Sequence, residues 1–219
     1  MRTAVYIDGF NLYYGAVRRR PHCKWLDVRA LSERVLSRKN LVTRIRYFTA
    51  NISSRGSDDE SPLNQQVYLR ALRTIPHLTI HYGYFMCHEV TMPLADGSIP
   101  PKRVSVLKTE EKGSDVNLAT YLLRDGFRDE YDCAVVISSD SDLVEPIRVT
   151  TTELGKLVGV VSPRPRQFRE LQKYASFTKV VRGSVLQQCQ FPDTMSDDDG
   201  PFYRPASWRA QRESSTEND

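Results

Sequence analysis

Residues 133–142 read CAVVISSDSD, and this stretch decides the fold. The run from Cys133 to Ile137 is apolar at every position, which is typical of a central strand of a parallel sheet that is buried on both faces. Polar residues ending in Asp140, Ser141 and Asp142 follow it directly. In an open α/β sheet, ligands bind beyond the carboxyl ends of the strands. The stretch therefore predicts a layered α/β fold and also the place of its site.

Strand-like and helix-like segments alternate on both sides of this run. β-favouring residues predict strands at 3–7, 41–49, 78–85, 133–137, 156–161 and 177–181. Apolar residues at helical spacing predict helices at 10–17, 27–36, 62–74, 114–123, 143–154 and 167–174. This alternation predicts a three-layer α/β/α, Rossmann-like fold with a mostly parallel central sheet over residues 1–182.

Two segments depart from the alternation. Residues 90–94 and 103–107 are extended pieces with Asp96-Gly97 and a double proline between them, which predicts a hairpin or flap inserted near 89–108. Residues 183–219 are polar, and we expect them to form an acidic C-terminal tail. Three aromatic residues lie within 201–208, and exposed aromatic rings are costly in water. We expect this part of the tail to dock on the domain or on a second subunit, and 213–219 to fray.

Composition and charge narrow the class of protein. The 219 residues are 40% hydrophobic and 26% charged, which fits one large domain or one domain with an appendage. No apolar run approaches the ~18 residues of a membrane span, so we expect a soluble, cytoplasmic chain without a membrane partner. Residues 1–182 carry 28 Lys and Arg against 20 Asp and Glu, whereas 183–219 carry 3 against 7. A basic body suggests a polyanionic partner, with nucleic acid first among them.

The four cysteines are widely spaced, with no CxxC pair, and we expect them to be reduced. His22-Cys23 and Cys87-His88 would supply four zinc-type ligands if they met in space. Adjacent residues seldom both bind one ion, so four ordinary residues are the preferred interpretation. The oligomeric state is open, and a homodimer is possible.

Four aspartates should gather at one edge of the sheet. Asp8 follows the first strand, Asp115 begins a helix in the sequence KGSD, and Asp140 and Asp142 follow the central strand. Each of them alone could simply cap a helix. Four carboxylates together repel one another unless cations balance them, and oxygen-only ligation points to Mg²⁺ or Mn²⁺.

Other motifs that follow a strand are absent. The sequence has no GxGxxG after the first strand, no GxxxxGK[ST] loop and no GxSxG elbow. Phe10 stands where a phosphatase of the haloacid dehalogenase type needs a second carboxylate. A Toprim-like phosphotransfer domain also has a DxD after a strand, but that fold has a glutamate where Asp8 stands.

Three motifs carry a resemblance to a known family. YIDGFNL at 6–12, KGSDV at 112–116 and SSDSDL at 138–143 resemble the NYN domain, of the LabA-like branch, over about the first 182 residues. NYN domains are similar to PIN-domain and FLAP-type nucleases. The resemblance implies a PIN-like fold and metal-dependent cleavage of RNA. It also implies that Asp8, Asp115, Asp140 and Asp142 are the catalytic, metal-binding positions, with Asn11 as a polar companion.

Further residues near these motifs have two interpretations each. Asn11, Lys112 and Ser139 could support the ligands or contact substrate, although Asn11 could equally cap a helix and Lys112 could be a solvated loop residue. Two basic clusters could bind phosphates or form solvated faces: Arg18, Arg19 and Arg20, and Arg164, Arg166 and Arg169. Three aromatic residues could stack on bases or belong to the core: Phe10, Tyr13 and Tyr14.

The leading hypothesis is a metal-dependent nuclease that hydrolyses phosphodiester bonds in RNA, with DNA as a possible substrate. The alternative is a non-catalytic RNA-binding or regulatory protein that keeps the NYN fold. Metal binding without turnover would favour the alternative. The sequence leaves the choice between endonuclease and exonuclease action open.

Overall fold

The computed structural model describes residues 1–54, 56–164 and 168–209. In chain order its strands are β1 (Arg2–Asp8), β2 (Leu41–Thr49), β3 (Leu78–Tyr82), β4 (Tyr84–Pro93), β5 (Arg103–Lys112), β6 (Cys133–Ile137), β7 (Leu157–Ser162), β8 (Phe177–Val180), β9 (Thr194–Asp197) and β10 (Gly200–Tyr203). Six of them form a parallel sheet in the order β3-β2-β1-β6-β7-β8. β2 and β3 are added on one side of β1, and β6, β7 and β8 are added on its other side. The strand order therefore switches between β1 and β6.

Helices cover both faces of this sheet. They are α1 (Gly9–Leu12), α2 (Val28–Val35), α3 (Ser61–Arg73), α4 (Ser114–Phe127), α5 (Val144–Thr152), α6 (Arg169–Gln172) and α7 (Gly183–Gln188). α1 continues into a π-helical turn, Tyr13–Val17, and short 3₁₀ turns lie at Pro21–Cys23, Ser141–Leu143 and Ala206–Trp208. The predicted helix 167–174 is thus shorter in the structure, and Gln167 lies outside the described residues.

The sheet separates two hydrophobic cores. Along β6, every side chain is buried; Val135 packs into one core and Val136 into the other, as the two-residue period of a strand requires. The first core includes apolar residues of α1, α2, α3 and α7, and the second those of α4, α5 and α6. This arrangement confirms the predicted three-layer α/β/α, PIN-like fold.

β4 and β5 form an antiparallel hairpin of their own, paired from Tyr84 opposite Lys112 to Pro93 opposite Arg103. The predicted strand 78–85 is divided at Gly83, where β3 ends and the hairpin begins. A Cβ at Gly83 would lie 2.2 Å from a carboxylate oxygen of Glu111. The glycine therefore lets the two ends of the hairpin meet against the sheet.

The chain after β8 returns to the first face of the sheet. Residues of α7 and of the β9–β10 hairpin pack into the first core, where Phe202 is only 5% exposed. The Trp25 indole N–H donates to the carbonyl of Pro192 at 2.8 Å, and Arg70 pairs with Asp197. Residues 213–219, for which fraying is predicted, lie outside the described residues. Across the described ranges, every helix falls short of the length and apolarity of a membrane span.

Candidate metal centre

Three aspartates converge at the switch point of the sheet. Asp8 ends β1, Asp140 lies three residues beyond the end of β6, and Asp115 stands in the first turn of α4. Each supplies a carboxylate oxygen, and these oxygens lie within 4.8 Å of one another. Among the described residues they form the one group of metal-ligating side chains, and neither His22-Cys23 nor Cys87-His88 joins such a group.

Asp8 is the most buried of the three, with 5% of its surface exposed. One carboxylate oxygen accepts the backbone N–H of Asn11 at 2.9 Å, which caps α1, and the other accepts the hydroxyl of Ser138 at 2.9 Å. Burial raises the pKa of Asp8 to about 6, although both hydrogen bonds oppose the rise. The carboxylate therefore stands in a place where a cation would be strongly favoured.

Asp140 is positioned by the loop that follows β6. Its side chain accepts the backbone N–H of Asp142 at 3.0 Å and so caps the 3₁₀ turn Ser141–Leu143. Its own backbone N–H donates to the Ser138 hydroxyl at 3.1 Å. The Ser138 hydroxyl thus contacts both Asp8 and the backbone of Asp140, and it links the two strand ends.

Asp115 reaches the site because the chain turns sharply between β5 and α4. Gly113 has φ +97°, a left-handed conformation that favours glycine, and α4 begins at the next residue. Burial and then the charges of Asp8 and Asp140 raise the pKa of Asp115 to about 7. Burial and the neighbouring carboxylates thus both disfavour the charged form of Asp115, which a bound cation would favour.

Glu111 is a fourth carboxylate at this site that the sequence analysis did not identify. It lines the same small cavity, of about 190 Å³, as the three aspartates. One of its oxygens accepts both the backbone N–H and the hydroxyl of Ser114, at 3.2 and 2.8 Å. Its charge contributes to the raised pKa values of Asp8 and Asp115. The signal in the sequence that could have identified Glu111 is its position next to the KGSD motif, which begins at Lys112.

Two of the predicted site residues stand outside the converging group. Asp142 is exposed and does not belong to the converging group, although its charge contributes to the raised pKa of Asp115. Lys112 pairs with Glu110, at 3.2 Å, and does not line the acidic cavity. A metal-binding role for Asp142 and a phosphate contact by Lys112 stay predictions.

Asn11 and Ser139 form a second layer behind the carboxylates. The Asn11 side-chain oxygen accepts the backbone N–H of Ser139 at 3.0 Å, and the Ser139 hydroxyl bonds to that of Ser162 at 2.9 Å. Asn11 also lines the acidic cavity. Both residues therefore hold the strand ends together.

The basic clusters are divided between the site and the surface. Arg164 lines the acidic cavity, whereas Arg166 lies outside the described residues and Arg169 is exposed on α6. Arg18 lies over the ring of Tyr14, with 5.3 Å to its centroid. Arg19 and Arg20 are exposed, and Arg20 donates to the carbonyl of Ala16.

The predicted aromatic residues occupy three settings. Tyr14 is 48% exposed, Tyr13 is partly buried against the first core, and Phe10 packs edge-on against Phe85 of the hairpin at 5.7 Å between ring centroids. Phe10 and Tyr14 both line the acidic cavity. The hairpin base and α1 therefore meet beside the carboxylates.

Comparisons with known proteins give one relative by sequence and one by fold. The chain is 31% identical, over an alignment of 242 positions, to a protein from Pseudomonas putida named 6-hydroxy-3-succinoylpyridine 3-monooxygenase HspA; the alignment covers 97% of this chain and 77% of that protein. The crystal structure of VPA0982 from Vibrio parahaemolyticus, a protein of unknown function, has a similar fold, with a TM-score of 0.52 and 16% identity over 92% of this chain and 96% of that chain.

A family model of the NYN domain matches residues 2–181, nearly the whole layered body. The LabA-like branch stays a prediction. The match includes the segments that carry Asp8, Asp115 and Asp140. This chain belongs to the NYN domain family.

Proposed function

We propose that this protein is a metal-dependent nuclease that hydrolyses phosphodiester bonds in RNA. The observation that carries the proposal is the convergence of Asp8, Asp115 and Asp140 within 4.8 Å at the switch point of a parallel sheet. Membership of the NYN domain family, which resembles PIN-type nucleases, supports the same class of reaction.

The residues present fit a hard divalent cation. The donor set consists of carboxylate oxygens, without imidazole or thiolate, which is the set that Mg²⁺ and Mn²⁺ prefer. Burial, and after it the neighbouring carboxylates, raise the pKa values of Asp8 and Asp115, and a bound cation would favour the ionised form of both. When bound, such an ion supplies Lewis acidity, activating a water nucleophile and neutralising charge that develops on the phosphate.

The other residues of the site have roles that follow from their positions. Asp8, Asp115 and Asp140 would hold the cation, and Glu111 adds a carboxylate on the same cavity wall. Arg164, which is positively charged, lines the same cavity as the carboxylates. It would contact a phosphate of the bound strand. Asn11 keeps the two strand ends in register through its bond to Ser139.

The test is incubation of the purified protein with labelled single-stranded RNA, duplex RNA and DNA, each with Mg²⁺, Mn²⁺ or EDTA. Cleavage of RNA that requires the ion and is lost in Asp8→Asn and Asp140→Asn supports the proposal. Asp129→Asn, on the exposed far side of the domain, is the matched control. Asp142→Asn should retain more activity than Asp140→Asn, because Asp142 stands outside the converging group.

Two outcomes would contradict the proposal. Cleavage that persists in EDTA, or in both site variants at the wild-type rate, would place the activity elsewhere. RNA binding without cleavage under every metal condition would favour the non-catalytic, RNA-binding alternative.

A second candidate function comes from the relative named as a monooxygenase, which is 31% identical to this chain. The observation that favours it is a cavity of about 360 Å³ lined by aromatic side chains beside the carboxylates, a volume within the usual range for small-molecule sites. Oxygenation of 6-hydroxy-3-succinoylpyridine at ring position 3, which carries the succinoyl group, would form a C3–O bond with one atom of dioxygen and break the C3–acyl bond. Two electrons from a separate donor would reduce the other oxygen atom to water, and the acyl group would leave on water as succinate. Incubation with 6-hydroxy-3-succinoylpyridine, air and NADH, followed by mass spectrometry for a dihydroxypyridine and succinate, tests it.

A further inference from the structure

An aromatic cavity adjoins the acidic site. It has a volume of about 360 Å³. Six ring-bearing side chains line it: Phe10, Tyr13, Tyr14, Tyr47, Tyr68 and Trp208. Phe10 and Tyr14 also line the acidic cavity, so the two spaces share a wall. A molecule that occupies the aromatic cavity therefore lies next to whatever the carboxylates hold.

The Tyr47 hydroxyl is available to a ligand in this cavity. Tyr47 is 6% exposed, and within the described part of the chain its hydroxyl has no hydrogen-bond partner. The hydroxyl of neighbouring Tyr68, by contrast, donates to the carbonyl of Leu26 at 2.9 Å. The Tyr47 oxygen is not one of the described polar atoms that are both buried and without a partner, so it is accessible from the cavity, where a ligand with a polar edge could bond to it. Burial raises the pKa of Tyr47, so the phenol is neutral and can donate as well as accept.

The rings and two cations of the walls suit a planar ring joined to an anion; one carboxylate, that of Asp59, lines the cavity as well. Aromatic faces stack on flat heterocycles, and such stacking tolerates any base because every base has a π-face. Two cations stand at the cavity: Arg18 lies 5.3 Å from the Tyr14 ring centroid, and the Lys24 ammonium lies 5.7 Å from that of Tyr13. Arginine and lysine at this position suit the phosphates on either side of a nucleoside.

We propose that the aromatic cavity takes one unpaired base of the RNA strand that is cut at the acidic site. This inference rests on the proposed nuclease function and names its substrate class, single-stranded RNA with a base turned out beside the scissile phosphate. The shared wall of Phe10 and Tyr14 fixes that base as the one next to the phosphate on the carboxylates. A base inside a duplex would first have to leave its stack, which costs free energy, so an unpaired base should be preferred.

An abasic scan tests the proposal. A single-stranded RNA with one abasic nucleotide, placed in turn at each position around the cut, is digested by the wild type. An abasic nucleotide at one of these positions should lower kcat/KM by about tenfold to a hundredfold, the range expected for loss of one stacked base. Tyr14→Ala should remove that dependence, and it should fold normally because Tyr14 is 48% exposed.

Tyr47→Phe tests the polar contact. It should lower kcat/KM by about threefold to tenfold, the range for one neutral hydrogen bond. Tyr203→Phe is its control, because Tyr203 is 56% exposed in β10 and lies outside both cavities.

A binding measurement separates failure of this inference from failure of the proposed function. RNA that carries 2-aminopurine is titrated with the protein in EDTA, and stacking in the cavity should quench the fluorescence in the wild type but not in Tyr14→Ala. Quenching without any cleavage in Mg²⁺ or Mn²⁺ would sustain the base site and overturn the nuclease proposal. Cleavage whose kcat/KM is the same for every position of the abasic nucleotide would sustain the nuclease proposal and overturn the base site. A third outcome would overturn the base site in favour of a small-molecule ring. In that outcome the fluorescence is not quenched, and free 6-hydroxy-3-succinoylpyridine protects Tyr14 and Trp208 from chemical modification.

Discussion

Asn11 and Ser139 join the two strand ends that carry the site: the Asn11 side-chain oxygen accepts the backbone N–H of Ser139 at 3.0 Å. Asn11 lies in the helix after β1 and Ser139 in the loop after β6, and these strands are neighbours in the sheet. The bond therefore connects the backbone of the Asp8 segment with that of the Asp140 segment. Residues that orient metal ligands in this way tune the affinity of a site without touching the ion.

Asn11→Ala should weaken Mn²⁺ binding by about tenfold to a hundredfold, the usual effect of removing a group that orients the ligands. The free energy of unfolding should fall by only about 0.5–1.5 kcal/mol, because one neutral hydrogen bond is lost. Isothermal titration and urea unfolding measure the two quantities. Asn51→Ala is the control, since Asn51 is exposed and accepts from Gln66 at 3.0 Å away from the site. Unchanged Mn²⁺ affinity in Asn11→Ala would refute the orienting role.

The stability of the protein should depend on pH through Asp8 and Asp115, whose pKa values are raised to about 6 and about 7. Both values lie above the ~3.9 of an aspartate in an unfolded chain. Without metal, the stabilising contribution of these protonated groups is complete below about pH 4 and is lost as the pH rises through 6 and 7. Above about pH 7, a bound divalent ion offsets the negative charges of the ionised Asp8 and Asp115. The increase in Tm caused by Mn²⁺ should therefore be much larger at about pH 8 than at about pH 5.

Asp8→Asn provides the matched variant for this dependence. Because the amide carries no charge, the metal-free variant should equal or exceed the wild type in Tm at about pH 8, whereas the advantage should vanish near pH 4. The Mn²⁺-induced rise in Tm should also be lost. A Tm increment from Mn²⁺ that is the same at both pH values in the wild type would rule out Asp8 and Asp115 as its source.

Much of the layered fold and the core of the candidate site could be predicted from the sequence. The apolar run at Cys133–Ile137 is a buried central strand, and Asp8 and Asp140 come close together because they follow neighbouring parallel strands. Local order along the chain was sufficient for these inferences. Asp142 lies outside the converging group: Asp140 is the extended residue that caps the 3₁₀ turn, whereas Asp142 lies within the turn.

The positions of Glu111 and Trp208 depend on contacts between segments that are far apart in the chain. Glu111 reaches the carboxylates because β5 pairs with β4 and its end packs against Gly83. Trp208 lines the aromatic cavity because its ring lies 6.1 Å from that of Tyr68, on a helix 140 positions earlier. The place of Glu111 before KGSD and the aromatic residues of 201–208 are signals in the sequence, but neither signal names the distant residues that these side chains contact.

The buried pair Arg46–Asp125 should be the most sensitive polar contact in the second core. Asp125 is fully buried and accepts from Arg46 at 2.7 Å and from the Tyr6 hydroxyl at 2.9 Å. Burial alone would raise its pKa, but these hydrogen bonds outweigh it and hold the pKa below the ordinary value. Asp125→Ala leaves the Arg46 charge buried without its partner, and it should cost about 3–5 kcal/mol of unfolding free energy.

Urea unfolding at neutral pH measures this loss, with Asp129→Asn as the control. Asp129 pairs with Arg2 on the surface, where solvent screens the charges, and asparagine tolerates the left-handed backbone of this position (φ +53°), so the control should change stability little. Comparable losses in the two variants would show that the buried pair is not a stabilising contact.

Phe202→Ala should destabilise the whole domain, although Phe202 lies far along an acidic segment. Its ring is 5% exposed, lies 6.4 Å from that of Trp25 and is covered by the Arg70 guanidinium at 4.4 Å. Truncation of a buried phenylalanine costs about 3–5 kcal/mol, so the urea midpoint should fall markedly. Tyr203→Ala, at the next and 56% exposed position, should leave the midpoint nearly unchanged. Equal midpoints for the two variants would show that residues 200–203 do not contribute to the core.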